Sequence, residues 1–147
     1  MKFILTAIEK AMTQEIEWQE WAQAVAERIQ RKSRQGESSD CILWTGATTQ
    51  SRANSPSYGY MKVKLPSSQT RKSLRVHVLA YLVTNIRLRD ILLSKDRDFD
   101  ISHLCHNSLC TNIQHLVAED KALNNLRKAC KRSGHCLGHG DHKGCLL

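Results

Sequence analysis

Phenylalanine, tyrosine and tryptophan together make up only 5% of this 147-residue chain. So few large rings allow a core, but a modest one, and modest cores are commonly stapled by metal or disulfide. No apolar run approaches the twenty or so residues that cross a bilayer. Residues 1–10 break into Glu9 and Lys10 before a signal core forms. These absences lead to the expectation of an intracellular protein with no membrane partner. Acidic residues are scarce too, 14 Asp plus Glu against 22 Lys plus Arg, for a formal net charge of +8. That balance favours an anionic partner, and nucleic acid is the usual one. With no internal repeat or low-complexity tract, the length fits one domain with an appended helix.

What is plentiful is cysteine beside histidine. The six cysteines are Cys41, Cys105, Cys110, Cys130, Cys136 and Cys145, and five fall in the last 43 residues among histidines. Without a secretion signal, three disulfides are the weaker explanation. Tetrahedral zinc takes thiolate and imidazole at short spacings, which this interleaving supplies. Cys105-x4-Cys110-x4-His115 offers three ligands, and Cys130-x5-Cys136-x2-His139-x5-Cys145 offers four. Cys41 is then the one unused cysteine and completes the first set. The result is two three-cysteine, one-histidine sites with no place left for water, the mark of structural zinc. His142 rivals His139 in the second set.

Along the chain, residues 2–33 read as an amphipathic helix or two. Ile4, Ile8, Met12, Ile16, Val25 and Ile29 recur at helical spacing, flanked by Trp18 and Trp21. This stripe is expected to pack on the domain. Residues 33–40 are a polar linker, and 41–45 a short apolar stretch stopped by Gly46. A polar loop covers 48–57. Residues 58–65 alternate as a half-buried strand with a basic outer face, and 72–78 return as its partner. Together the two strands present Lys62, Lys64, Arg71, Lys72 and Arg75, a ribbon suited to a DNA major groove. Residues 76–84 turn helical and 87–99 are irregular. Short strands at 101–104 and 115–117 flank the first zinc loop, and 118–129 form a helix with Leu123 and Leu126 on its buried side. The fold class is therefore α+β: a small zinc-stabilised strand-loop-strand-helix core, an antiparallel β-ribbon and an N-terminal helical segment. The domain division is 1–35 for that segment and 41–147 for the zinc-bearing domain.

The chemistry is expected between residues 100 and 128. His103 lies two residues before a zinc ligand, so its strand is pinned. Asn124 lies two turns into the following helix and can face His103 across the hairpin. Phosphodiester hydrolysis needs a base for water and a cation for developing charge. Histidine titrates near neutrality and suits the first task. A neutral asparagine oxygen suits a hard cation that keeps most of its water shell.

Ser102-His103-Leu104-Cys105-His106-Asn107, followed by Cys110, Asn112, His115-Leu116, Asn124 and Cys130, resembles the His-Cys box homing endonucleases. These lie within the wider ββα-metal (His-Me finger, HNH-like) nucleases. Cys136, His139 and Cys145 continue the pattern, Cys41 matches the distant ligand, and Arg75-Val76-His77 resembles the segment after the basic strands. The resemblance implies a DNA endonuclease acting on double-stranded DNA. Its His103 activates water, and its Asn124 holds one catalytic Mg2+ or other divalent ion beside the two structural Zn2+. A strand arginine steadies the phosphate, with Arg71 and Arg75 the candidates. Asn125 sits in tandem with Asn124, but the spacing favours Asn124. The family's C-terminal dimer-bracing tail has no counterpart here, so a homodimer is expected to use the N-terminal helix. A eukaryotic origin would make the protein nuclear. The alternative is a zinc-stabilised DNA-binding module of transposon or regulatory origin that does not cut.

Overall fold

The computed structural model describes residues 2–50 and 55–147, so the centre of the expected 48–57 loop lies outside the described residues. A single helix, α1 (Lys2–Arg31), opens the chain. It is followed by β1 (Ser33–Gln35), β2 (Ile42–Trp44), β3 (Tyr60–Lys64), β4 (Arg71–Arg75) and α2 (Val76–Thr84). A short turn then leads to α3 (Arg89–Leu92), β5 (Phe99–His103), β6 (Leu116–Asp120) and α4 (Lys121–Ser133). The strands form three antiparallel pairs, β1–β2, β3–β4 and β5–β6. The fold is a small α+β assembly of short strand pairs with two clusters of zinc ligands.

One apolar cluster ties these pieces together. Trp18, Ala22, Val25 and Ile29 of α1 meet Met61 and Val63 of β3, Leu79 and Leu82 of α2, and Ile101 and Leu116 of the last hairpin. The 4-3-4 spacing of the α1 residues puts them on one face, as an amphipathic helix requires. The expected stripe is corrected in its first half: Ile4, Ile8, Met12 and Ile16 are exposed, and burial begins at Trp18. Trp21 Nε1 and Arg28 Nη2 donate to the carbonyls of Lys64 and Lys62. Those bonds occupy main-chain acceptors of β3 that would otherwise invite another strand.

Four further expectations change. The 33–40 linker is partly strand, because Ser33–Gln35 pairs with Ile42–Trp44. The second ribbon strand runs over Arg71–Arg75 and gives way to α2 at Val76, whose N–H bonds to the Gly59 carbonyl. The irregular 87–99 stretch contains the one-turn helix α3. On α4, Leu123 is buried but Leu126 is 61% exposed, so the buried side is narrower than expected. Gly46, read as a strand stop, has another reason to be glycine. A Cβ there would stand 2.3 Å from the Trp44 ring, and one at Gly59 would stand 2.5 Å from it. The buried indole occupies the space a side chain at either position would need.

Candidate metal centres and active site

The first ligand cluster is assembled by backbone pairing across the sequence. β2 pairs with the loop that carries Cys110: Trp44 N–H bonds to Leu109 O, and Thr111 N–H to Ile42 O. That pairing carries Cys41 to the loop. The sulfurs of Cys41, Cys105 and Cys110 and Nδ1 of His115 all lie within 4.8 Å of one another. His115 Nδ1 is 3.6 Å from Cys41 Sγ and 3.5 Å from Cys110 Sγ. Bonds of about 2.3 Å to a shared tetrahedral ion give donor-to-donor edges of roughly 3.5–3.8 Å, so the set fits zinc. The Cys105 hydrogen bond pulls the Cys110 thiol down to about 5 and pushes Cys105 up.

The second cluster joins Cys130 at the end of α4 to Cys136, His139 and Cys145. His139 Nε2 lies 3.4 Å from Cys130 Sγ and 3.2 Å from Cys145 Sγ, which settles the choice over His142. The Cys145 backbone N–H donates to Cys136 Sγ and lowers that thiol. Two braces connect this cluster to the rest. Leu146 N–H bonds to Leu104 O in the first zinc loop. Arg127 of α4 is buried, donates to both Glu119 carboxylate oxygens of β6 at 2.7–2.9 Å, and reaches Cys145 Sγ at 3.5 Å.

Within this frame a family profile described as the zinc-binding loop region of homing endonuclease matches residues 42–144. The chain belongs to that family. Six of the eight ligands lie inside the matched segment, and Cys41 and Cys145 flank it by one residue each. No curated protein and no solved structure matches. In this homing-endonuclease zinc-loop protein, three Cys and one His in each cluster leave no donor position for water, so both zincs are structural.

His103 ends β5 with its Nε2 3.1 Å from the Cys110 carbonyl. A carbonyl only accepts, so Nε2 carries the proton and Nδ1 of the neutral ring is left as the proton acceptor. Burial lowers the pKa of His103 to about 4, offset in part by that carbonyl. The ring therefore stays neutral at physiological pH. Two residues missed in the sequence, His77 and Tyr58, line up behind it with the expected Arg75. His77 of α2 stacks at 4.5 Å between ring centres, Tyr58 lies 5.6 Å from His77, and the Arg75 guanidinium sits 4.4 Å over Tyr58. The signal for His77 was present in the Arg75-Val76-His77 segment; Tyr58 carried none. Burial pushes His77 well below its ordinary pKa, and among the described residues its Nδ1 has no hydrogen-bond partner.

Asn124 Nδ2 donates to Asp100 at 3.2 Å. Among the described residues no hydrogen bond joins Asn124 to His103. Asn125 is exposed and its oxygen accepts from Lys128. The β3–β4 register sets Tyr60 opposite Arg75, Lys62 opposite Ser73 and Lys64 opposite Arg71. Lys62, Lys64, Arg71 and Arg75 therefore share one face. Lys72 pairs with buried Val63 and belongs to the other face, a correction that follows from strand alternation. Arg71 stands four residues, roughly 13 Å, down the strand from Arg75.

Proposed function

We propose that this chain is a metal-dependent DNA endonuclease that hydrolyses phosphodiester bonds. The observation that carries the reading is the anchoring of His103 Nε2 on the Cys110 carbonyl in a chain of the homing-endonuclease family. That bond fixes the tautomer a general base needs. His103 Nδ1 takes the proton of the attacking water as its oxygen bonds to phosphorus and the phosphorus–oxygen bond to the leaving group breaks. Arg75, joined to His103 through Tyr58 and His77, is the arginine that this geometry favours over Arg71 for steadying the phosphate.

A hard divalent ion suits Asn124, because acceptor-only Asp100 engages the amide nitrogen and leaves Oδ1 free. Bound there, Mg2+ would neutralise charge developing on the phosphate and leaving oxygen. Lys62, Lys64, Arg71 and Arg75 form the face for double-stranded DNA, and the contacts to phosphate make binding salt-dependent. The same face also serves a module that binds DNA without cutting.

Conversion of supercoiled plasmid, followed by a randomised target library, separates the two. The protein should be zinc-loaded and tested with and without added Mg2+, since a chelator would also strip zinc. Cutting that requires Mg2+ and is lost in His103→Ala, with DNA affinity and zinc content kept, supports the nuclease. Binding without cutting on the library identifies the non-catalytic module. Loss of zinc in His103→Ala would instead make His103 structural.

A further inference from the structure

Two carboxylates of the last hairpin reach α4. Asp100 and Glu119 stand opposite each other in the β5–β6 register, and opposite residues of an antiparallel pair share a face. Glu119 holds Arg127, and Asp100 accepts from Asn124 Nδ2, one turn earlier on the helix. The two carboxylates differ in charge balance. Glu119 is neutralised by its guanidinium, whereas Asp100 forms no ion pair among the described residues. A half-buried carboxylate therefore stands unneutralised beside Asn124, in a protein whose net charge is +8.

The helix brings Asn124 to Asp100 without depending on the bond between them. Asp120 caps α4 by accepting from the Leu123 N–H at 2.7 Å, which fixes where the helix starts. Buried Leu123 and the clamp of Arg127 on Glu119 fix its rotation. What the bond to Asp100 does control is which end of the Asn124 amide faces the carboxylate. The neighbouring Asn125 is spoken for, because its oxygen accepts from Lys128 Nζ at 2.6 Å. Asn124 Oδ1 has no such partner among the described residues.

We infer that Asp100 is a positioning residue for the divalent cation, an inference that rests on the reading of Asn124 as its ligand. An asparagine amide can present either end, but a carboxylate only accepts. By engaging Nδ2, Asp100 makes Oδ1 the end available to the ion. Its unpaired charge also attracts the cation that Oδ1 binds. A neutral oxygen ligand backed by a carboxylate suits a hard divalent ion, and partners of this kind set how well the ligand itself performs.

Mn2+ titrated into the zinc-loaded full chain, and followed by electron paramagnetic resonance, reads affinity without activity. Asp100→Ala is expected to weaken binding about 10–100-fold. Both zinc ions and the helix content should be retained, because α4 is held by its other contacts. Asp100→Asn keeps an acceptor for Nδ2 but loses the charge, so it should fall between, a graded rescue that a merely structural role would not give. Asn124→Ala should abolish the site and Asn125→Ala should leave it intact. Wild-type affinity in Asp100→Ala, with loss in Asn124→Ala, overturns the role of Asp100 alone. So does loss of zinc in Asp100→Ala, or an Asp100→Asn variant no better than Asp100→Ala. Wild-type affinity in Asn124→Ala, or a wild-type chain that binds no Mn2+, overturns the ligand reading beneath it.

Discussion

Removing the Arg127 guanidinium isolates a carboxylate in the centre of the zinc-bearing half. Arg127 and Glu119 are 2% and 7% exposed and share three charge-assisted bonds of 2.7–2.9 Å. Arg127→Met keeps the bulk of the side chain but leaves Glu119 buried without those donors. Breaking such a pair from one side costs roughly 3–5 kcal/mol. For a domain of this size each kcal/mol moves the melting temperature by roughly 2–4 °C, so Arg127→Met should melt about 6–20 °C lower. Replacing both partners, as in Glu119→Leu/Arg127→Met, removes the uncompensated charge and should recover most of the loss. Circular-dichroism melts at fixed zinc concentration measure all four corners of the cycle. Asn124 sits one turn before Arg127 on α4, so the single variant should also lose Mn2+ affinity. A single variant within about 3 °C of wild type, or a double variant no better than the worse single, would refute the reasoning.

Other outcomes follow from the same geometry. Gly46→Ala and Gly59→Ala should each destabilise by about 1–3 kcal/mol, read from denaturant midpoints, because either Cβ meets the buried Trp44 ring. His103 is held neutral by burial, with a pKa lowered to about 4, so nitrogen-detected imidazole spectra should show Nε2–H persisting from pH 7 down to 5. Titration near pH 6.5 would count against that burial argument. Lys62→Ala/Lys64→Ala should lower the slope of log affinity for DNA against log salt by about 2, whereas Lys72→Ala should change it far less. His142→Ala should retain two zinc ions per chain, and His139→Ala should lose one.

The zinc ligands were legible because thiolate and imidazole are chemically distinctive and their spacing is short. The choice of His139 over His142 was not, since both lie in the same loop and only folding brings Nε2 to Cys130 and Cys145. Helix α2 was readable to the residue from Val76, Leu79, Ala80 and Val83. The α1 stripe was read correctly as periodic but not as half uncovered, because periodicity reports an apolar face and not what lies against it. Lys72 was misplaced because it was read as presented together with its neighbour Arg71, whereas successive strand residues point to opposite faces. Tyr58 and Asp100 acquire partners only through long-range packing, which no local pattern encodes.

The two zinc clusters also differ in how much chain each must gather. The second spans Cys130 to Cys145, a local hairpin-like loop beginning at the end of α4. The first must recruit Cys41 across 64 positions (105 − 41) before its fourth ligand is in place. Closing the longer loop costs roughly 1 kcal/mol more in chain entropy and depends on β2 having reached the Cys110 loop. Under limiting zinc the C-terminal cluster is therefore expected to fill first, tied by Leu146 to the loop that awaits Cys41 and by Arg127 to β6.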